Sequence, residues 1–296
     1  MARAHWWGLD TGNVGDWGTA ANWSPSGVPG AGDEIIIGPE AAGQSVDIHG
    51  TLDQSGVALG DIWILEGYIG QIGLHGTGNS TPVNLQIDCT RLHVAGTGKM
   101  YISLEHTGAI DVIVEAAEAN PLIGESGLYV TTDGTGTIGI LSVLSGFVSL
   151  AHFADDPSQT CAEAICNGPQ AHLEIGEPVT ATAVTVENGV CRWLSGNTTG
   201  TFTVSGGVAN LLGSGAITAA VAAGGLMNLG GIGTISTLTM DGGTVNGCYL
   251  ATTQTISSLL FSGPGTYHGN ASYRTLTAIN DRTDNVAYTI ESRVKQ

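Results

Sequence analysis

The chain has 296 residues, of which 46 are glycine, 42% are hydrophobic and only 11% are charged. Twenty-six acidic residues against eight basic ones give a net charge of −18. So few cations exclude the basic stripe that nucleic acid needs and disfavour an anionic membrane surface, while the hydrophobic fraction excludes disorder. Glycine together with many Val, Ile, Thr and Leu suits short strands joined by tight turns rather than helices. Even the least charged stretch, Trp193 to Met240, is broken throughout by glycines and polar residues, so no transmembrane helix is expected. The opening Met-Ala-Arg-Ala-His-Trp-Trp-Gly lacks the apolar core of a secretion signal; this predicts either assembly without export or a trimmed leader.

Residues 1–33 form a distinct opening that holds four of the six tryptophans: Trp6, Trp7, Trp17 and Trp23. Exposing four indoles is too costly to be incidental. They are expected to cap the open end of a core or to dock on a partner, and the two roles can coexist.

Within this opening, Asp16-Trp17, Asn22-Trp23-Ser24, Pro29, Asp33 and the strand Glu34-Ile35-Ile36-Ile37 follow one another in a recognisable order. The run resembles the D-W-x-x-x-x-N-W-S…P…D-x-(V/I)-x-I segment at the start of many bacterial parallel β-helix proteins. Autotransporter-type surface proteins carry such a segment, and similar ones occur in phage virion proteins. The resemblance covers roughly the first 37 residues. It implies a parallel β-helix and a place either on a virion or on a bacterial cell surface. The absence of an export signal and of a long passenger shifts the expectation toward a virion.

From Glu34 to Leu150 the pattern predicts strands at Glu34–Ile37, Ser45–Ile48, Asp61–Leu65, Val83–Ile87, Arg91–Val94, Met100–Leu104, Ile110–Glu115, Gly127–Thr131, Gly136–Val143 and Phe147–Leu150. Tyr68–Leu74 alternates and reads as a further strand. The irregular spacing predicts long rungs with protruding loops. Residues 152–180 read as an excursion from the rod. Asp155-Asp156-Pro157-Ser158 is a turn signal there, and Cys161 and Cys166 could form a local disulfide.

From Ala181 onward the pattern tightens. Gly189, Gly207, Gly225 and Gly243 recur every 18 residues, each between two short apolar runs. One such unit cannot bury its own apolar face, but stacked on copies of itself it can. The expected fold is therefore all-β: a single-stranded, right-handed parallel β-helix. The expected domains are a docking or cap segment at 1–33, the β-helix at 34–270 with its excursion at 152–180, and a C-terminal cap or tail at 271–296. Arg274, Arg282, Arg293 and Lys295, half of all basic residues, lie in that tail. They could pair with acidic surface on a neighbouring copy.

The chemistry of the chain is sparse. Polysaccharide lysis needs Arg or Lys beside aligned aspartates, and no basic residue lies between Met100 and Cys191. Glycoside hydrolysis needs only two carboxylates, which Asp111 with Glu115, or Asp155, Asp156 and Glu163, could supply. However, twelve acidic residues lie between Glu105 and Glu187, so chance pairs are common. Tyr101 and Tyr129 are the only body aromatics placed to stack on sugars, and they read as outward strand positions. The eight histidines are dispersed, and the five cysteines are odd in number and spread out, so neither a metal centre nor a disulfide framework is expected. Gly-x-Gly occurrences such as Gly134-Thr135-Gly136 lack the lysine of a phosphate loop.

The expectation is a non-enzyme with no cofactor, no metal and no catalytic residue. It is a structural phage virion protein of capsid decoration, cement or head-fibre type, on the capsid exterior. The expected partners are the major capsid protein or another virion protein, and further copies of the chain in a homotrimer, with no nucleic acid and no membrane. Docking would fall to Trp6, Trp7, Trp17, Trp23, Arg274 and Arg282. A bacterial cell-surface adhesin and a tailspike-like glycan-binding or glycan-cleaving protein are the alternatives.

Overall fold

A computed structural model describes every residue except 1, 9–14, 40–52, 74–83, 116–126, 133–135, 152–155, 248–253, 270–273, 282–288 and 293–296, and gives the strands 274–281 and 289–292 by their backbone. Among the described residues there are 26 β-strands, one short 3-10 turn at Ala20–Asn22 and no α-helix. The strands join in one large, mostly parallel system that does not close into a barrel. The protein is a parallel β-solenoid.

The alternation of apolar residues explains how each rung forms. Val179–Val186 is followed by Val190–Trp193, then Thr199–Val204 by Val208–Leu211, and Ile217–Ala222 by Leu226–Leu229. The first strand of each pair joins one sheet and the second joins another. Val186, Val204, Ala222 and Met240 stand above one another in the first sheet. Cys191, Ala209, Met227 and Val245 do so in the second. All eight are buried. Period-two alternation sends these side chains inward and their neighbours outward.

Inward positions combine large and small residues vertically. Phe202, Ala220 and Leu238 form one column, and Trp193, Leu211 and Leu229 another. Each large side chain so buried contributes roughly 1.5–3 kcal/mol. A single apolar core runs from Ala4 to Tyr267, so the chain is one body from its first strand onward.

The repeating glycines are required twice over. Gly189, Gly207, Gly225 and Gly243 have φ of 77°, 63°, 62° and 61°, a region that side-chain-bearing residues rarely enter. They also stack on the turn beneath: a Cβ on Gly207 would lie 2.4 Å from the Gly189 carbonyl oxygen. The 18-residue spacing is thus the length of one minimal rung. Earlier rungs are longer. Ile37, Ile64, Val94, Val114 and Val143 are vertical neighbours, so those rungs take 27 (37 to 64), 30 (64 to 94), 20 (94 to 114) and 29 (114 to 143) residues.

Several boundaries differ from expectation. The solenoid begins inside the opening segment, because Arg3–Trp6 pairs in parallel with Glu34–Ile37. Among the described residues of 152–180 the rungs continue: Gln159–Cys166 and Ala171–Ile175 are full rung strands, in register with their neighbours on both sides. Gln159–Cys166 has the same alternating burial as Val179–Val186 above it; its inward residues are Cys161, Ala164 and Cys166, which read as polar or neutral rather than as core. The solenoid also continues past 270. Arg274–Asp281 extends the first sheet and Thr289–Ser292 the second. Among the described residues of the expected strand Tyr68–Leu74, Gln71–Ile72 is strand, and Leu74 and Ser45–Ile48 lie outside the described residues.

Cys161 and Cys166 do not bond to each other; both are free thiols. Five residues along one extended strand separate their Cα atoms by about 17 Å, far beyond the reach of a disulfide.

Candidate functional surfaces

The tryptophan-rich opening is a built structure. Trp6 and Trp17 both meet Trp23 edge-on, with ring centroids 5.0 and 4.7 Å apart. Trp23 Nε1 donates to the Trp17 carbonyl at 2.8 Å. Asp16 fixes the turn that delivers Trp17: its carboxylate accepts from the Gly18 amide and the Thr19 hydroxyl, and buried Asn22 donates to its carbonyl at 2.9 Å. Asp33 closes the segment by accepting from the Ala2 and Gly30 amides. Those two amide donors hold its carboxyl below the usual carboxylate range. Each residue of the D-W…N-W…D pattern therefore has a local structural role.

This corrects the docking assignment. Trp6, Trp17 and Trp23 are at most 3% exposed and cap the core, so they cannot touch a partner. Trp7, at 42% exposure, is the one of the four that faces outward. Arg274 lies in a strand, opposite Gln254, and Arg282 lies outside the described residues. The structure does not bring these arginines together with the tryptophans among the described residues.

The outer face of the first sheet changes character along its length. Over its early rungs it is charged and aromatic. Asp61, Arg91 and Asp111 stand in one vertical column, and Trp63, His93 and Ile113 in the next. Arg91 Nη1 lies 3.4 Å from Asp61 Oδ2, and His93 Nε2 lies 3.1 Å from Glu115 Oε2. The Trp63 indole rests 4.6 Å from the His93 ring. Asp111 Oδ1 accepts from the Ile140 amide at 3.1 Å. From Ala183 to Leu260 the same face is blank. Its columns read Ala183, Thr201, Ala219, Thr237, Ser258 and Thr185, Thr203, Val221, Thr239, Leu260.

The second sheet carries a polar ladder on its outer face. Ser149 donates to Glu174 Oε1 at 3.1 Å, and Arg192 Nη1 donates to Glu174 Oε2 at 2.6 Å. Above Arg192 stand Asn210, Asn228 and Asn246, with Asn228 Nδ2 donating to Asn210 Oδ1 at 2.8 Å. Glu174 is almost wholly buried, and the guanidinium that meets it is half-exposed. Tyr101 and Tyr129 do point outward from the second sheet, as expected. Yet they are stacked at 4.8 Å and buried with Phe147 in an aromatic cluster separate from the main core. Buried rings of this kind are not a sugar platform.

Asp111 and Glu115 lie on one strand, four residues apart, with their Cα atoms about 13 Å from each other; the Glu115 carboxylate is engaged by His93 and the Asp111 carboxylate by the Ile140 amide. A shallow open groove of about 420 Å³ is lined by Ser158, Glu177, Pro178, Gly196, Asn197 and Ser214, with one carboxylate. The described cysteines are buried. Burial pushes the Cys89 and Cys161 thiols up to about 12 and Cys166 to about 11, the reverse of an activated nucleophile. Among the described residues no three His, Cys, Asp or Glu side chains cluster as metal ligands, and no helix is long and apolar enough to cross a membrane.

No family model matches the chain, and comparison with curated proteins and with solved structures finds no match either.

Proposed function

We propose that the protein is a non-enzymatic structural rod of a bacteriophage virion, of capsid decoration or head-fibre type. Its copies pack side by side as a homotrimer on the capsid exterior, and the outward Trp7 end faces the major capsid protein or another virion protein. The observation that carries this reading is the blank outer face of the first sheet. On a chain of net charge −18, most approaches between copies are repulsive. The columns from Ala183 to Leu260 offer a flat strip of Ala, Thr, Ser, Val and Leu on five successive strands. An interface core is depleted of charged residues relative to the rest of a surface, so a strip without charge suits burial at a subunit junction.

The test is electron microscopy of native particles with and without the protein, together with their tolerance of heat and low salt. Particles carrying it are expected to show surface rods and to survive longer. Equal survival and an unchanged surface would remove the virion reading.

A further inference from the structure

We propose that the early rungs carry a binding patch for a neutral oligosaccharide, formed by Asp61, Trp63, Arg91, His93, Asp111 and Glu115 on the outer face of the first sheet. The proposal goes beyond the structural reading and does not depend on it.

Register brings the patch together. Asp61, Arg91 and Asp111 fall in one column, with Trp63 and His93 in the adjacent one. Neighbouring strands lie about 4.8 Å apart and alternate outward residues about 7 Å apart. The six side chains thus present one indole and five hydrogen-bonding groups on a grid comparable in size to one or two sugar rings.

The chemistry suits a polyhydroxylated, uncharged ligand. A sugar presents carbon-bound hydrogens on its ring face and hydroxyls around its rim. The hydrogens are attracted to the negative face of an indole. The hydroxyls both donate and accept, so they suit carboxylates and a guanidinium set side by side. Trp63 is half-buried against His93 and is held in place before any ligand arrives, which lowers the ordering cost of binding. The ion pairs keep the polar groups in position while leaving them accessible: the Arg91 and Glu115 side chains are 45% and 48% exposed.

Charge then selects among glycans. Three carboxylates outnumber one guanidinium in the patch, and the chain as a whole is strongly acidic. Sulfated, uronic or sialylated glycans are repelled.

The experiment uses the full chain. A panel of neutral oligosaccharides (glucan, mannan, galactan and N-acetylglucosamine oligomers) and anionic ones (oligogalacturonate, sulfated galactan) is screened on an array. Hits are measured by titration calorimetry. At least one neutral oligomer is expected to bind. Trp63→Ala is expected to weaken it on the order of tenfold or more, Arg91→Ala by less, and Thr203→Ala on the blank face not at all. Should Trp63→Ala fail to fold, Trp63→Phe and Asp111→Asn replace it, with intact melting as the control. No neutral binding at millimolar ligand, preference for the anionic oligomers, or binding indifferent to both the Trp63 and Arg91 changes would each overturn the proposal.

Discussion

The early and late halves of one sheet share an interior and differ in everything outside it. Inward, Ile62 and Ile64 are as buried as Phe202 and Val204. Outward, Asp61, Trp63, Arg91 and His93 give way to Ala183, Thr201, Thr203 and Val221. The core fixes only alternate positions, so the outward columns are free to carry recognition in one half and packing in the other. Rung length follows the same division. Early rungs of 20 to 30 residues leave chain outside the strands. The late 18-residue rungs leave only the turns, and their glycines lie on one another's backbone.

That contrast predicts its largest effect in the glycines. A Cβ on Gly225 would lie 2.6 Å from both the Gly206 carbonyl carbon and the Gly207 oxygen, at a φ of 62°. Gly225→Ala is expected to cost about 3 kcal/mol or more, from left-handed strain and a clash that backbone cannot relieve. In the early half, a Cβ on Gly56 would meet nothing within 4 Å, and Gly56→Ala is expected to be within about 1 kcal/mol of neutral. Denaturant midpoints of the two variants measure the difference. Equal shifts would mean that the late turns have more room than their stacking implies.

The next effect concerns assembly rather than folding. Thr203 and Thr239 lie in one outward column of the late half. Replacing both with Asp puts like charges across any face-to-face junction but buries nothing new within the monomer. Melting is expected to shift by no more than surface substitutions usually cause, about 0.5 kcal/mol in stability. Self-association, measured by light scattering across concentration, is expected to weaken at least about tenfold. The same substitutions that leave association unchanged would place the junction elsewhere and return the blank face to solvent.

The two halves were not equally legible. Where rungs repeat at 18 residues, spacing alone aligns the glycines and hence the strands. In the early half, Trp63 meets His93 across a 30-residue rung whose neighbours take 27 and 20 residues, so no fixed period brings them together. That is why the outward patch could not be found by scanning for motifs. Gln159–Cys166 was hidden for another reason: cysteine and alanine carried the inward positions, and a residue type associated with chemistry concealed an ordinary core stripe. The tryptophans show the limit of composition. It required that four indoles be covered, and the pairing of Trp6 with Trp23 shows that three of them cover one another.

The smallest effect belongs to the end of the early half, where Asp33 ties Ala2 and Gly30 to the first rung. Because the two amides hold its carboxyl below the usual range, the folded state binds a proton less readily than the unfolded chain. Stability from this contact is therefore present above the ordinary carboxylate pKa. It fades as pH falls through the lowered value. The group is exposed, so the change is expected locally: the protection of the Ala2 and Gly30 amides, measured against the unstructured exchange rate at the same pH, should fall on acidification, with the late rungs unaffected. Asp33→Asn keeps an acceptor oxygen but removes the titration, and should flatten that acid response. If the late rungs loosened at the same pH, the solenoid would open as one unit, and the acid response would not be local to Asp33.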